Sequence, residues 1–122
     1  MLKIFIFLIV FCLMVFAVNK IIFKDIPSQN VTDATHKAMR VKLLGIQSAL
    51  DLYKLENGKY PGKINFLYDK ENKYILSQQL LYDLWGRPFY YRFDENKNEY
   101  TIITFGADGK PGGTGLDEDI SL

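Results

Sequence analysis

Apolar residues occupy every position from Ile4 to Val18, a run of 15 residues. Asn19-Lys20 interrupts the run, and Ile21-Ile22-Phe23 resumes it before Lys24-Asp25. As a helix, the first run would extend about 22 Å, short of a hydrocarbon core of about 30 Å. Residues 4–23 together would reach roughly 30 Å, with the Lys20 ammonium snorkelling toward the headgroups. The pattern predicts a membrane helix over residues 1–24. A cleaved signal peptide shares its features, with Lys3 ahead of the core and Val15-Phe16-Ala17 as the cleavage site. The apolar return at Ile21–Phe23 favours an uncleaved anchor. Lys3 lies on one side of the run and Lys20 and Lys24 on the other, so charge does not set its orientation.

Residues 25–30, Asp-Ile-Pro-Ser-Gln-Asn, read as a linker, since Pro27 and the polar residues after it break a continuous helix. A globular domain is then predicted over residues 31–122. Asn30 or Thr32 can cap a helix running to Glu56, which Asn57-Gly58 would stop. Met39, Leu43, Ile46, Leu50 and Tyr53 recur at spacings of 4, 3, 4 and 3, a helical and not a strand period. Val41, Leu44, Leu52 and Leu55 extend the apolar surface around that stripe. Lys59-Tyr60-Pro61-Gly62 reads as a turn, and Tyr74–Tyr82 as a short helix. Phe89–Phe93 and Tyr100–Phe105 are aromatic and β-branched runs separated by the polar Asp94–Glu99, a hairpin pattern. Phe89, Tyr91 and Phe93 share one face of the first strand. The predicted fold class is α+β: a long amphipathic helix packed on a small antiparallel sheet, followed by a glycine-rich acidic segment.

Composition narrows the function more than the fold. About ninety residues follow position 30, enough for one modest core. The net charge of +1 carries no nucleic-acid footprint. The single cysteine, Cys12, lies in the apolar run, so a disulfide does not staple the domain. His36, the only histidine, has no second histidine or cysteine near it in sequence, which argues against zinc and for a solvated side chain. Trp85 reads as a core aromatic between helix and sheet, with a subunit contact as the alternative. Enzymatic signatures are missing: no Gly-x-Ser-x-Gly, no His-Glu-x-x-His and no phosphate-binding loop occurs. The chain is therefore not expected to be an enzyme.

The chemistry that remains is in residues 106–122. Five glycines and Pro111 disfavour regular structure, while Asp108, Asp117, Glu118 and Asp119 supply hard oxygens opposed only by Lys110. A hard divalent cation, calcium before magnesium, fits such a loop, and so does a solvated acidic tail.

Three segments carry a resemblance to a known family. Ala49-Leu-Asp-Leu-Tyr-Lys-Leu-Glu-Asn-Gly-Lys-Tyr-Pro61, Asp83-Leu-Trp-Gly-Arg-Pro-Phe-Tyr-Tyr91, and Phe105-Gly-Ala-Asp-Gly109 with the later Asp117-Glu-Asp-Ile120 stand in the order found in major pseudopilins of bacterial type II secretion systems. The likeness runs from Lys37 to the C-terminus, about seventy per cent of the chain. Leu84 stands where proline is usual. Pseudopilins carry a leader ending in Gly-Phe and a glutamate at the fifth mature position; here the first glycine is Gly45 and the first acid Asp25. The resemblance implies a pilin-like fold with a C-terminal calcium loop. Its metal ligands would be Asp108, Asp117 or Asp119, and the carbonyl of Phe105. Alternation along an extended backbone would turn Asp117 and Asp119 to one side and Glu118 away. The implied function is that of a structural subunit of a type II secretion or related type IV pilus-like apparatus supporting protein export. Its partners would be other pseudopilin subunits and secretion components, in a homo-polymer or hetero-assembly. The expected location is the bacterial inner membrane, single-pass, with the globular domain in the periplasm. The alternative is a membrane-anchored exported binding module that does not polymerise.

Overall fold

The structure is a computed structural model that describes Ile9, Cys12 and residues 28–69, 71 and 73–122. The predicted anchor, residues 1–24, lies outside the described residues apart from Ile9 and Cys12. Among the described residues no helix is long and apolar enough to cross a membrane. The chain divides into two units, Met1–Val31 and Thr32–Leu122, and the second contains the folded core.

Helix α1 spans Ser28–Asn57. It begins ahead of both predicted caps, Asn30 and Thr32, so the last three residues of the segment read as a linker are helical. The stop is as predicted: the Gly58 N–H donates to Lys54 O at 2.8 Å, closing the last turn. Met39, Leu43, Ile46 and Leu50 are fully buried, and Tyr53 packs beside them. Val41, Leu44, Leu52 and Leu55 do not extend this buried face. All four point to solvent, Leu55 at 81% exposure. A turn of 100° per residue puts Val41 and Leu55 nearly opposite the Met39–Leu50 stripe, which apolar content alone does not reveal.

The sheet is antiparallel throughout, in the order β1-β2-β3, with β1 at Tyr90–Asp94, β2 at Glu99–Thr104 and β3 at Ile120–Ser121. The predicted hairpin is present, shifted by one residue, with Tyr91 opposite Ile102 and Asp94 opposite Glu99. Asp94 Oδ1 accepts the N–H groups of Asn96 and Lys97 and organises the turn. Ile102 and Thr104 are buried and Tyr100 packs against the core, on the one face that the strand period gives these three residues. β3 was not legible in the sequence. Two residues, Ile120 and Ser121, pair with Thr104 and Ile103, and Ile120 is buried in the core.

Between helix and hairpin the chain is mostly irregular. The short helix predicted over Tyr74–Tyr82 reduces to a single 3-10 turn, Gln78–Leu81, capped by the Ser77 hydroxyl. Ile75 and Leu81 enter the core while Leu76 is almost wholly exposed, so no helical face forms there. A second 3-10 turn, Ile64–Leu67, adds Ile64 and Leu67 to the same core. An aromatic belt closes its edge: Tyr60 meets Tyr100 edge-on at 4.7 Å, and the Tyr91 hydroxyl donates to Pro61 O at 2.7 Å.

Candidate functional site: the C-terminal loop and its anchors

The β2–β3 pairing turns the glycine-rich acidic segment into a closed loop, residues 105–119. It is anchored at both ends by the sheet rather than trailing as a tail. The Ala107 N–H donates across it to Leu116 O at 2.8 Å, and a 3-10 turn at Gly115–Asp117 bends its return limb. Gly106 makes the closure possible. Its φ is +63°, and a Cβ there would lie 2.4 Å from the backbone carbonyl carbon and oxygen of Asp117. No side chain fits that approach.

The predicted ligands are distributed around this frame. Phe105 is half-buried, its ring 5.9 Å from that of Tyr90. Asp108 is exposed, and its Oδ1 accepts the Lys110 N–H at 3.0 Å. Asp117 ends the 3-10 turn, half-buried, so residues 117–119 are not uniformly extended. Asp119 is half-buried: its Oδ2 accepts the Gly112 N–H at 2.9 Å, while its Oδ1 is buried without a partner. Among the described residues no three His, Cys, Asp or Glu side chains converge as a metal-binding group. A calcium ion takes six to eight oxygens, and carbonyls or water can supply many of them. The fit is therefore local: the orphaned Asp119 oxygen asks for a cation or a donor, since an unpaired buried carboxylate oxygen is costly. Asp108 shows no such demand.

Two further anchors hold the loop, and neither was read from the sequence as part of the site. The first is His36 on α1. Its Nε2 lies 2.8 Å from Gly115 O, and its Nδ1 lies 3.9 Å from a Glu118 carboxylate oxygen. The solvated histidine expected near the helix start instead ties the helix to the loop, because residues 79 apart in sequence are brought together by the β3 return. The second is the Asp83-Leu-Trp-Gly-Arg87 turn. Asp83, 6% exposed, accepts the N–H groups of Trp85 and Arg87 at Oδ1 and the Thr104 hydroxyl at Oδ2. The Arg87 Nε stands 3.5 Å from the same Oδ2. The guanidinium then donates to Gly106 O and, at 3.1 Å, to Ala107 O. Trp85 is half-buried and packs against the core, as expected of a core aromatic, with the Arg87 guanidinium 5.8 Å from its ring. The available signal was the acid–base spacing of Asp83 and Arg87 around Trp85-Gly86. In the sequence this spacing registers only as family likeness.

Comparison with known proteins places this architecture. A family model described as type II secretion system (T2SS), protein G matches residues 28–122. The type II secretion system core protein G of Pseudomonas aeruginosa is 36% identical over 87 residues, covering 62% of this chain and 61% of that protein. The protein of the same description from Vibrio cholerae is 33% identical over 91 residues, covering 64% and 61%. The chain thus spans less than two thirds of the length of the curated relatives it matches. The crystal structure of the major pseudopilin from the type 2 secretion system of enterohaemorrhagic Escherichia coli superposes with a TM-score of 0.59 at 24% identity, over 75% of this chain and 89% of that one. That likeness shows a shared pilin-like α+β fold: one long helix with a small three-stranded antiparallel sheet. With the family model covering α1, the sheet and the whole loop, the chain belongs to the type II secretion system protein G family.

Proposed function

We propose that this chain is a pseudopilin-like structural subunit of a type II secretion apparatus, assembling with other pseudopilin subunits to support protein export. The observation that carries the reading is the continuous family match over residues 28–122, from the start of α1 to the end of the loop. In this reading the apolar N-terminal run holds the subunit in the bacterial inner membrane and the globular domain stands in the periplasm. The C-terminal loop serves as a subunit contact surface, stabilised by calcium. Asp119 is the ligand favoured by its buried, unpartnered oxygen. Asp117 lies two residues before it in sequence, and backbone carbonyls of the loop would complete the set. A bound ion would neutralise that oxygen and fasten the return limb.

Deletion of the gene, complementation by the full chain, and cross-linking in native membranes test the assembly. Lost export and a cross-linked ladder of the subunit are the expected results. Intact export with a subunit that stays monomeric at native levels would overturn the reading in favour of an anchored binding module.

The calcium role is tested by thermal melts of the full chain in detergent, with EGTA and with added calcium. At a free concentration 100-fold above the dissociation constant, binding to the native state stabilises by about 2.7 kcal/mol. A calcium-specific shift that Asp119→Ala removes is expected. No shift at millimolar calcium would leave the loop a pre-formed protein surface without a metal.

A further inference from the structure

We propose that α1 carries a subunit contact of its own, in which Leu52 and Leu55 of one copy seat in the apolar groove beside Gly45 of a second copy. The inference rests on the assembly reading above and gives it a surface outside the C-terminal loop.

The groove runs between α1 and the irregular segment ahead of the hairpin. Val41, Lys42 and Gly45 form its helix wall and Leu76, Leu80 and Leu84 the other, around a volume of about 530 Å³. Val41, Leu76, Leu80 and Leu84 are all exposed. Exposed apolar side chains scattered singly need no explanation, whereas four around one recess mark a docking surface. Gly45 adds an independent sign. It stands in the middle of α1, where glycine is the least favourable residue short of proline. A Cβ there would meet no atom of the described residues within 4 Å. Packing inside the subunit therefore does not require a glycine, and the missing side chain deepens the groove for an occupant from outside.

Charge selects that occupant. On the helix beside the groove, residues 37–42 supply Lys37, Arg40 and Lys42 and no acid. Further along α1, Leu52 and Leu55 are exposed and three residues apart, so they form one ridge. Exposed Asp51 and Glu56 flank it. The one base in that stretch, Lys54, lies over the Tyr60 ring, 4.4 Å from its centroid. An apolar ridge with acidic flanks thus matches an apolar groove with a basic border, and the same helix carries both. Exposed ion pairs add little energy, so the leucines supply the burial and the charges select partner and register. Ridge and groove are different patches, so the contact runs head to tail and continues past a dimer.

Cross-linking of the full chain in native membranes tests the contact. Cys12→Ser removes the native thiol, Leu55→Cys and Leu84→Cys mark ridge and groove, and a short bis-maleimide joins them. Leu84 lines the groove with Lys42, and thirteen residues of helix from Lys42 to Leu55 rise about 20 Å, so the linker joins copies and does not span one. A ladder extending past the dimer is expected, with either cysteine alone giving roughly tenfold less product. Gly45→Leu separates docking from folding. It fills an open helical position, so the thermal midpoint should hold or rise while the ladder falls roughly tenfold. An equally strong product from Leu55→Cys alone, a ladder that stops at the dimer, or an undiminished ladder in Gly45→Leu would each overturn the proposal. Capture of Leu55→Cys by a different envelope protein in place of a second copy would do the same. Failure of the contact is distinguishable from failure of the assembly reading. If export and an amine-linked ladder of the wild-type chain persist while the cysteine ladder is absent, this contact falls and the assembly stands. If both ladders are absent, both fall.

Discussion

At the scale of single residues, the loop depends on two positions of opposite character, a buried acid and a crowded glycine. Asp83 accepts three hydrogen bonds from Trp85, Arg87 and Thr104 while nearly fully buried. Asp83→Ala strands those donors, and the expected loss is about 2–4 kcal/mol, discounted from a fully buried pair because Arg87 is partly exposed. Urea denaturation of wild type and variant measures it, and a loss below about 0.5 kcal/mol would show that water replaces the carboxylate without cost. Gly106→Ala is predicted to be worse than a typical loop change. It combines a positive φ with a 2.4 Å approach to the Asp117 backbone, so roughly 2 kcal/mol or more should be lost, together with the Ala107–Leu116 closure. Thermal melting of the variant, with exchange of the Ala107 amide as a local readout, checks both parts. Of these two residues, Asp83 was visible in sequence as part of a motif and Gly106 as one glycine among five. Neither role was legible, because each exists only against a residue distant in the chain: Thr104 for one, Asp117 for the other.

Secondary structure elements show how far periodicity reaches. The 4-3-4 spacing of Met39, Leu43, Ile46 and Leu50 identifies both the helix and its buried face. Leu50→Ala should therefore cost about 2–5 kcal/mol, as a cavity in a packed core does. Leu55→Ala, five residues on and 81% exposed, should change stability by no more than about 0.5 kcal/mol. Parallel denaturation curves of the two variants decide the matter, and equal losses would mean that Leu55 is covered. The same reasoning failed at Tyr74–Tyr82. Ile75 and Leu81 are buried but six residues apart, with exposed Leu76 and Leu80 between them. Four apolar residues in nine suggested a helix, whereas packing against α1 selected an irregular path with one 3-10 turn.

For the whole molecule, the aromatic belt sets the response to alkali. Burial pushes the Tyr91 hydroxyl far above its ordinary range, and burial also raises Tyr100. A phenol whose folded pKa exceeds its unfolded value of about 10 makes the unfolded chain bind fewer protons above that pH. Stability then falls as pH rises past about 10 and is unaffected by this group below it. Lys42, lowered by burial, acts with the opposite sign, since it makes the unfolded chain bind more protons in its titration range. Tyr91→Phe isolates the tyrosine: it should lose about 1 kcal/mol at neutral pH, with the bond to Pro61 O, and show a shallower decline above pH 10. Denaturation midpoints of both proteins across that range are the measurement, and parallel curves would show that Tyr91 ionises freely in the folded state.

What the sequence determined by itself was whatever repeats over a few residues. Helical spacing produced α1 and its core face, alternation produced the hairpin, and Gly58 marked the helix end. Family likeness, spread over three short segments, pointed to the pilin-like architecture. Tertiary structure alone decided that the acidic segment is a closed loop, since the two-residue strand Ile120–Ser121 is too short to carry a pattern and exists only through its pairing with Ile103 and Thr104. It also decided which groups meet that loop. His36 and Arg87 reach Gly115 and Gly106 because the chain returns past them. Local sequence is blind to such contacts, whose energies come from burial and distance rather than from neighbouring residues.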